Sequence, residues 1–237
     1  MRFPLDGVSL DDPGLDGPRL APRAGGPATA LVVLLHGYGA DGRDLIDLGA
    51  AWSERLPHAA FVAPHAPAPC AGAPVGRQWF DLTFRDPHEL KRGADAVAPL
   101  LQGFLQMELA KLDLPAARLA LVGFSQGAMM ALKVATSWTE RMAAVVAYSG
   151  LWAEVSGGPR REAEPPIPAA PPVLLVHGSE DEVVPAQALF ASAYGLADAG
   201  VPVEWHLSMG LGHGIDEVGL ACGGGFLARG PDGDGGR

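Results

Sequence analysis

The sequence predicts an α/β fold, in which a mostly parallel central sheet carries helices on both faces. Short apolar runs of strand length alternate along the chain with longer segments whose apolar residues keep helical spacing. Most of the strand-like runs are apolar throughout, which is typical of parallel strands covered on both sides. The 237 residues are 48% apolar and 19% charged, which suits a single globular domain with a sizeable core.

Six apolar runs predict the strands of this sheet, and glycine or proline bounds several of them. Because parallel strands need crossovers between them, helical segments are expected between consecutive runs. The predicted strands are residues 30–35, 59–64, 119–122, 143–148, 173–178 and 203–207.

Four segments with apolar residues at helical spacing predict the helices that connect the strands. Pro99 predicts a kink or a break within the second of them, because proline removes one backbone donor and crowds the preceding turn. The predicted helices are residues 44–56, 87–112, 125–135 and 185–199.

The segments outside these elements are rich in glycine, proline and charged residues. Residues 1–29 predict an irregular lead-in or an edge hairpin, and residues 65–86 predict a long loop. Residues 153–172 predict an insert with little order, and the glycines at 223–225 predict a frayed segment. The predicted α/β domain spans residues 30–228 and is followed by a flexible tail, residues 229–237.

Charge and cysteine content exclude several classes of protein. The formal net charge of −10 argues against nucleic acid or an anionic membrane surface as the main partner. Cys70 and Cys222 have no metal-binding spacing, so we expect two thiols, with a single disulfide as the alternative, and no metal site. Residues 1–20 lack the basic end and apolar run of a secretory signal, and no apolar stretch predicts a membrane span, so a cytoplasmic location is expected.

A candidate nucleophile lies where a predicted strand meets a predicted helix. Residues 123–127 read G-F-S-Q-G, which matches the G-x-S-x-G pattern of the nucleophile elbow. Gly123 and Gly127 leave room for a tight, strained backbone around Ser125. Glycine is abundant in this chain, so the pattern depends on its strand–turn–helix context for support.

A serine nucleophile needs a base to take its proton. In α/β-hydrolases the orienting acid and then the histidine follow the serine along the chain. Of the histidines after Ser125, His177 ends a strand and His206 lies within one, whereas His213 lies in a glycine-rich loop after the last strand. We therefore predict that His213 is the base.

Three carboxylates follow the predicted strand 173–178 and are candidates for the orienting acid: Glu180, Asp181 and Glu182. We predict Asp181, which precedes the sequence Val-Val-Pro, and keep Glu180 as the alternative. The structural interpretation of Asp181 is a helix N-cap or a turn aspartate.

Two backbone N–H groups are predicted to form an oxyanion hole. One comes from the residue after the nucleophile, Gln126, and the other from the loop after an earlier strand. That loop is residues 36–39, H-G-Y-G, and its predicted donor is Tyr38. The alternative interpretation of this loop is a flexible strand-to-helix turn.

Together these blocks resemble the phospholipase/carboxylesterase family of α/β-hydrolases, which includes the acyl-protein thioesterases. The resemblance rests on residues 36–39, 123–128, 177–185 and 212–213, and it covers most of residues 28–227. Residues 79–81, W-F-D, are similar to a family segment near the acyl pocket, which implies that Trp79 binds substrate. The chain departs from the family in residues 65–77 and 153–172.

The resemblance implies an α/β-hydrolase fold, hydrolysis of a carboxylic ester or thioester, no cofactor, and commonly a homodimer. It also implies Ser125 as nucleophile, His213 as base and Asp181 as orienting acid. The expected function is therefore a serine carboxylesterase that hydrolyses short- to medium-chain esters through an acyl-enzyme. An acyl-protein thioesterase or lysophospholipase is the alternative within enzymes, and a non-catalytic binding protein is the alternative outside them.

Overall fold

Strands and helices alternate along the protein, whose structure is a computed structural model that describes residues 14–70, 73, 75–83, 86, 88–154, 166–167 and 169–230. The strands are β1 (Arg19–Leu20), β2 (Ala30–Leu35), β3 (Ala59–Val62), β4 (Ala68–Pro69), β5 (Arg77–Gln78), β6 (Leu119–Phe124), β7 (Ala144–Tyr148), β8 (Val173–Gly178) and β9 (Val203–Ser208). The helices are α1 (Gly42–Trp52), α2 (Glu89–Leu112), α3 (Gln126–Ser137), α4 (Gln187–Asp198) and α5 (Glu217–Ala228), and a short 3-10 turn spans Ala116–Arg118.

Within the described residues, one sheet contains seven of these strands in the order β1-β3-β2-β6-β7-β8-β9. The strand β1 runs antiparallel to β3, and the other neighbours run parallel to one another. The strand β6 lies at the centre of this order. Because parallel strands end at the same edge of a sheet, the loops that follow β2, β6, β8 and β9 lie along one edge.

Helices cover both faces of the sheet, as the sequence predicts. Alternate side chains of a strand point to opposite faces. On β2, Leu31, Val33 and Leu35 belong to the core that includes α2, α3 and α4, whereas Val32 and Leu34 belong to the core that includes α1 and α5. Burial on both faces explains why the central strands β2, β6 and β7 are apolar throughout, whereas the edge strand β9 contains polar residues.

The predicted strands and helices are present, with boundaries that differ by a few residues. Helix α1 begins earlier than predicted because Asp41 caps it. The carboxylate of Asp41 accepts from the N–H of Arg43 at 2.7 Å, and that of Asp44 accepts from the N–H of Asp41 at 2.7 Å.

Two predicted irregularities take a different form in the structure. Pro99 lies inside α2, which continues from Glu89 to Leu112. A proline in a helix removes one backbone hydrogen bond, and here the helix is not broken by that loss. The predicted loop of residues 65–86 contains a small antiparallel hairpin, in which β4 pairs with β5.

The prediction of a frayed segment at residues 223–225 is wrong, because these glycines lie inside α5. A Cβ on Gly223 would overlap the hydroxyl oxygen of Tyr148, and one on Gly224 would lie 2.6 Å from Cδ1 of Trp52. Without side chains, this part of α5 packs closely against the sheet and α1. The glycines therefore allow close packing, although their low helix propensity alone predicts an irregular segment.

The described part of the predicted lead-in is attached to the rest of the fold. Arg19 of β1 donates to Oε1 of the buried Glu108 in α2 at 3.1 Å, and Lys111 donates to the same oxygen at 2.7 Å. Burial raises the pKa of Glu108, but the hydrogen bonds from Arg19 and Lys111 outweigh it and hold that pKa below its ordinary value. This charge cluster joins the start of the chain to α2.

Some predicted segments lie outside the described residues: 1–13 of the lead-in, 155–165 and 168 of the insert, and 231–237 of the tail. Within the described ranges, no helix has both the length and the apolar character needed to cross a bilayer. Cys70 is a buried thiol and Cys222 a half-buried one, in agreement with the prediction of two thiols.

Two neighbouring glycines of α5 should respond oppositely to alanine. We expect Gly225→Ala to raise the free energy of unfolding by about 1 kcal/mol, because nothing lies within 4 Å of the added Cβ and alanine favours a helix. We expect Gly223→Ala to lower it by about 1–3 kcal/mol, because the Cβ would displace the Tyr148 hydroxyl. Urea unfolding measures both changes, and equal effects in the two variants would contradict the packing described for α5.

Candidate active site

Four loops at one edge of the sheet contain the predicted catalytic and oxyanion-hole residues. The loop after β2 contains Tyr38, and the turn after β6 contains Ser125 and Gln126. The loop after β8 contains Asp181, and the loop after β9 contains His213. Parallel strand order thus brings together residues that lie far apart in the sequence.

The backbone at Ser125 has the strained geometry that the G-x-S-x-G pattern predicts. Its φ is 53° and its ψ is −116°, a conformation that non-glycine residues rarely adopt. A Cβ on Gly123 would overlap the carbonyl oxygen of Gly127, and one on Gly127 would overlap that of Leu35. Both glycines are therefore required by close backbone approach on either side of the serine.

Helix α3 starts directly after Ser125. The carbonyl oxygen of Ser125 accepts from the N–H groups of Ala128 at 3.0 Å and Met129 at 3.2 Å. The N–H of Gln126 belongs to the first residue of the helix, where no preceding helical carbonyl accepts it. Helix starts favour negative charge, so an oxyanion next to Ser125 would be stabilised there.

Asp181, in the loop after β8, and His213, in the loop after β9, form a hydrogen-bonded pair. Nδ1 of His213 lies 2.7 Å from Oδ2 of Asp181. The other oxygen of Asp181 accepts from the N–H groups of Val183 at 2.9 Å and Val184 at 2.8 Å. The carboxylate is therefore fixed on both oxygens, and it orients the imidazole so that Nε2 is the nitrogen left to act on a substrate.

The charged form of Asp181 is favoured although its side chain is fully buried. Burial raises the pKa of the carboxyl, but the hydrogen bonds from His213, Val184 and Val183 together outweigh burial and hold the pKa below its ordinary value. By contrast, the alternative acid Glu180 and its neighbour Glu182 are exposed. Of the three candidates, the structure brings Asp181 to His213.

His177 contacts the same carboxylate, and sequence reasoning did not identify this contact. Its Nε2 lies 2.8 Å from the carbonyl oxygen of Val184 and 3.3 Å from Oδ2 of Asp181. Since a carbonyl only accepts, Nε2 of His177 donates to Val184. His177 is buried and ties the segment that contains Asp181 to the end of β8. The sequence signal that could have identified this contact is the position of His177 near the end of β8, four residues before Asp181.

The loop that contains His213 lies against the turn that contains Ser125. The ring centroids of His213 and Phe124, the residue before the serine, are 4.9 Å apart. The hydroxyl of Ser149 donates to the carbonyl oxygen of Gly214 at 3.3 Å. The imidazole is half-buried, with 19% of its side chain exposed, so a substrate could reach it from solvent.

The predicted oxyanion loop lies on the other side of Ser125. A Cβ on Gly37 would lie 3.4 Å from Cβ of Ser125 and 3.2 Å from Cδ1 of Phe124, so the loop backbone is close to the nucleophile. The N–H of Gly39 donates to the carbonyl oxygen of Arg77 at 2.9 Å, which pairs the loop with β5. The structure thus brings the residues beside Tyr38 next to Ser125.

The side chain of Gln126 connects the two sides of the site. Its Oε1 accepts from the N–H of Trp79 at 2.9 Å, and its Nε2 donates to the carbonyl oxygen of Phe80 at 2.8 Å. The indole N–H of Trp79 donates to the carbonyl oxygen of His36 at 2.9 Å. A chain of hydrogen bonds therefore runs from the start of α3, through Trp79, to the loop after β2.

Trp79 has a supporting position in this structure. Its side chain is buried, with 1% of the residue exposed, and its one polar hydrogen is bonded to His36. A direct contact of Trp79 with substrate stays a prediction.

The arrangement has the parts required for acyl transfer. A serine lies in a strained turn, a histidine is oriented by a buried carboxylate, and the backbone N–H of Gln126 at a helix start directly follows the serine.

Comparison with known proteins finds one family and several relatives that are named esterase or acyl-protein thioesterase. The model of the phospholipase/carboxylesterase family matches residues 22–228. Esterase YpfH of Escherichia coli (strain K12) is 29% identical over 190 residues, which are 80% of this chain and 78% of that protein. Acyl-protein thioesterase 1 of Schizosaccharomyces pombe is 31% identical over 170 residues, covering 70% of this chain and 74% of that protein. The crystal structure of esterase PE8 is 43% identical, with a TM-score of 0.83, and the match covers 91% of this chain and 98% of that one.

The strain at Ser125 should appear as a difference between two small substitutions. We expect Ser125→Gly to be more stable to unfolding than Ser125→Ala by about 1 kcal/mol, because glycine adopts φ of 53° without steric cost. The same pair at Ser137, a helical residue of α3, should show the opposite order. Urea unfolding of the four variants measures this, and the same order at both positions would contradict a strained turn.

The charge of Asp181 should make stability depend on pH. Its folded pKa is lowered, so the stabilisation is fully present above the unfolded value, about 3.8, and is lost as pH falls through the folded pKa. We expect the free energy of unfolding of the unmodified protein to exceed that of Asp181→Asn by a constant amount above about pH 5 and by a shrinking amount below it. Unfolding in urea at several pH values measures the difference. A gap that stays constant down to about pH 2 would contradict this, and Glu180→Gln, at an exposed position, is the control.

Proposed function

Because this chain belongs to the phospholipase/carboxylesterase family of α/β-hydrolases, we propose that it hydrolyses short- to medium-chain carboxylic esters through an acyl-enzyme on Ser125. It is an enzyme of the carboxylesterase and thioesterase class, a serine hydrolase that acts on a small-molecule ester or thioester. The substrate range, the acyl-enzyme and the roles of individual residues are what the proposal adds.

One observation carries the proposal: the hydrogen bond of 2.7 Å between His213 and the buried Asp181, beside the strained turn at Ser125. An aspartate that only capped a turn would need the N–H groups of Val183 and Val184 and nothing more. The second oxygen of Asp181 instead holds an imidazole that is partly open to solvent. An oriented histidine at this place is the arrangement that a serine nucleophile requires.

Acylation would proceed by attack of Oγ of Ser125 on the carbonyl carbon of the ester. Nε2 of His213 takes the hydroxyl proton, and the carboxylate of Asp181 stabilises the imidazolium that forms. The carbonyl oxygen becomes an oxyanion and accepts hydrogen bonds from the N–H groups of Gln126 and Tyr38. The bond to the leaving oxygen then breaks, and the alcohol leaves with the proton from His213.

Deacylation would repeat these steps with water. His213 takes a proton from the water, whose oxygen attacks the carbonyl carbon of the acyl-enzyme. The same two N–H groups hold the second oxyanion. When the bond to Oγ breaks, Ser125 regains its proton from His213 and the carboxylic acid leaves. No step requires a group beyond the chain and water.

Thioester hydrolysis is a second candidate, because a relative that is 31% identical is named acyl-protein thioesterase 1. The same residues would act, and a thiol would leave in place of the alcohol. Rates on an oxygen ester and a thioester of matched acyl chain distinguish the two. A thioester preference in kcat/KM of more than about tenfold would assign the chain to the thioesterases.

Removal of the nucleophile tests the proposal directly. We expect Ser125→Ala to lose at least about 10⁴-fold in hydrolysis of p-nitrophenyl butyrate, because triad members act as a unit. A fluorophosphonate probe should label the unmodified protein at Ser125 and should not label the variant. Ser53→Ala, at the residue that caps the end of α1, is the matched control and should retain full activity.

Two outcomes would contradict the proposal. Retained hydrolysis in Ser125→Ala would show that another group is the nucleophile. An unmodified protein that neither hydrolyses esters or thioesters nor reacts with the fluorophosphonate would be a binding protein on a hydrolase fold.

A further inference from the structure

We infer that His36 is a positioning residue for the oxyanion hole, which fixes the direction of the peptide group between Gly37 and Tyr38. The inference rests on the proposed function and adds to it a residue that touches neither the substrate nor the reacting atoms. It starts from two hydrogen bonds of a buried imidazole at the end of β2.

The imidazole of His36 has a polar partner at each nitrogen. Nε2 lies 2.9 Å from the backbone nitrogen of Ala66, and Nδ1 lies 2.8 Å from the carbonyl oxygen of Gly37. The N–H of Ala66 only donates and the carbonyl of Gly37 only accepts. One tautomer satisfies both partners: a neutral ring that accepts at Nε2 and donates from Nδ1.

The surroundings of His36 favour this neutral form. The residue is 1% exposed, and the ring centroid of Trp79 lies 5.6 Å away. Burial lowers the pKa of His36, and this outweighs the raising effects of the hydrogen bond to Gly37 and of Asp41. A protonated ring would direct an N–H at the N–H of Ala66, which a buried site opposes.

The hydrogen bond from His36 sets the direction of the next donor in the chain. The carbonyl of Gly37 and the N–H of Tyr38 belong to one peptide group, and all described peptide groups are trans. In a trans peptide these two bonds point in opposite directions. When Nδ1 of His36 holds the carbonyl on the interior side, the N–H of Tyr38 points away from His36.

The opposite orientation of this peptide would work against catalysis. The carbonyl oxygen of Gly37 would then turn to where the N–H should be, and it would repel a negative oxygen beside Ser125. Gly37 is the residue at which this rotation is easiest, because glycine has the least backbone restriction. The neighbouring carbonyl, that of His36, is held by the indole of Trp79, so hydrogen bonds fix both peptides around Gly37.

Three substitutions separate the two hydrogen bonds of His36. His36→Asn retains an N–H donor at the position of Nδ1 and loses the acceptor for Ala66. His36→Gln reaches the position of Nε2, where its oxygen can accept from Ala66, and loses the donor to Gly37. His36→Leu loses both. His65→Asn is the matched control, because His65 also accepts a backbone N–H, that of Gly42 at 3.1 Å, but does not hydrogen bond Gly37.

The expected pattern is a loss in kcat without a change in KM. Removal of an oxyanion donor lowers kcat by about 10²–10³, and a donor that is only partly misdirected should cost about 10–100-fold in His36→Leu and His36→Gln. KM should stay within about threefold, since the interaction is made only in the transition state. His36→Asn and the control His65→Asn should each lie within about twofold of the unmodified enzyme.

A second readout uses butylboronic acid, whose boron bonds to Oγ of Ser125 while His213 takes the proton. The resulting tetrahedral boronate places an oxygen in the oxyanion hole. Its inhibition constant should rise in each variant by about the factor by which kcat falls. A fold that is merely loosened would not produce this proportionality.

Several results would overturn the inference. These are a kcat of His36→Leu within about twofold of the unmodified enzyme, an equal loss in His36→Asn and His36→Gln, or an equal loss in the His65→Asn control. If His36→Leu does not fold, the comparison of His36→Asn with His36→Gln decides. The kcat of His36→Asn must then be at least about fivefold higher than that of His36→Gln. Failure of the proposed function looks different, because the unmodified protein would then be inactive and unlabelled by the fluorophosphonate.

Discussion

The close approach of two backbones at Gly127 is the constraint on which the site depends. The first turn of α3 contacts the carbonyl oxygen of Leu35 so closely that a Cβ on Gly127 would overlap it. This contact brings the end of β2 and the start of α3 side by side. The loop after β2 therefore begins beside Ser125, and the serine, between Gly123 and Gly127, adopts a positive φ. The positive φ strains the backbone at the residue whose hydroxyl is the predicted nucleophile.

Buried polar groups then fix the backbone around this contact. The side chain of Gln126 holds the segment at Trp79, and the indole of Trp79 holds the carbonyl of His36. An unsatisfied polar group inside the protein is costly, so a fully bonded chain of this kind favours one arrangement over its alternatives. Gln126 thus contributes in two ways: its N–H is a predicted oxyanion donor, and its side chain supports the loop that contains the other.

Asp181 and His213 form the other half of the site, where hydrogen bonds satisfy a buried charged group. Asp181 is buried, yet its carboxylate has His213, His177 and two backbone N–H groups around it. These partners compensate the loss of water, which is why the charged form persists there. His36 directly follows β2, and His177 is the last residue but one of β8. Each is followed by glycine, and each hydrogen bonds a backbone carbonyl beside a predicted functional group.

The sequence by itself determined the α/β class, the strand positions and the candidates Ser125, Asp181 and His213, because apolar runs, the elbow pattern and chain order are local signals. Only the tertiary structure decided which carboxylate meets His213, since Glu180 and Asp181 are neighbours in sequence and differ in burial. It also decided that residues 223–225 are helical and that Trp79 is buried against His36. These outcomes depend on contacts between residues far apart in the chain, and such contacts override local propensity because packing energies are larger.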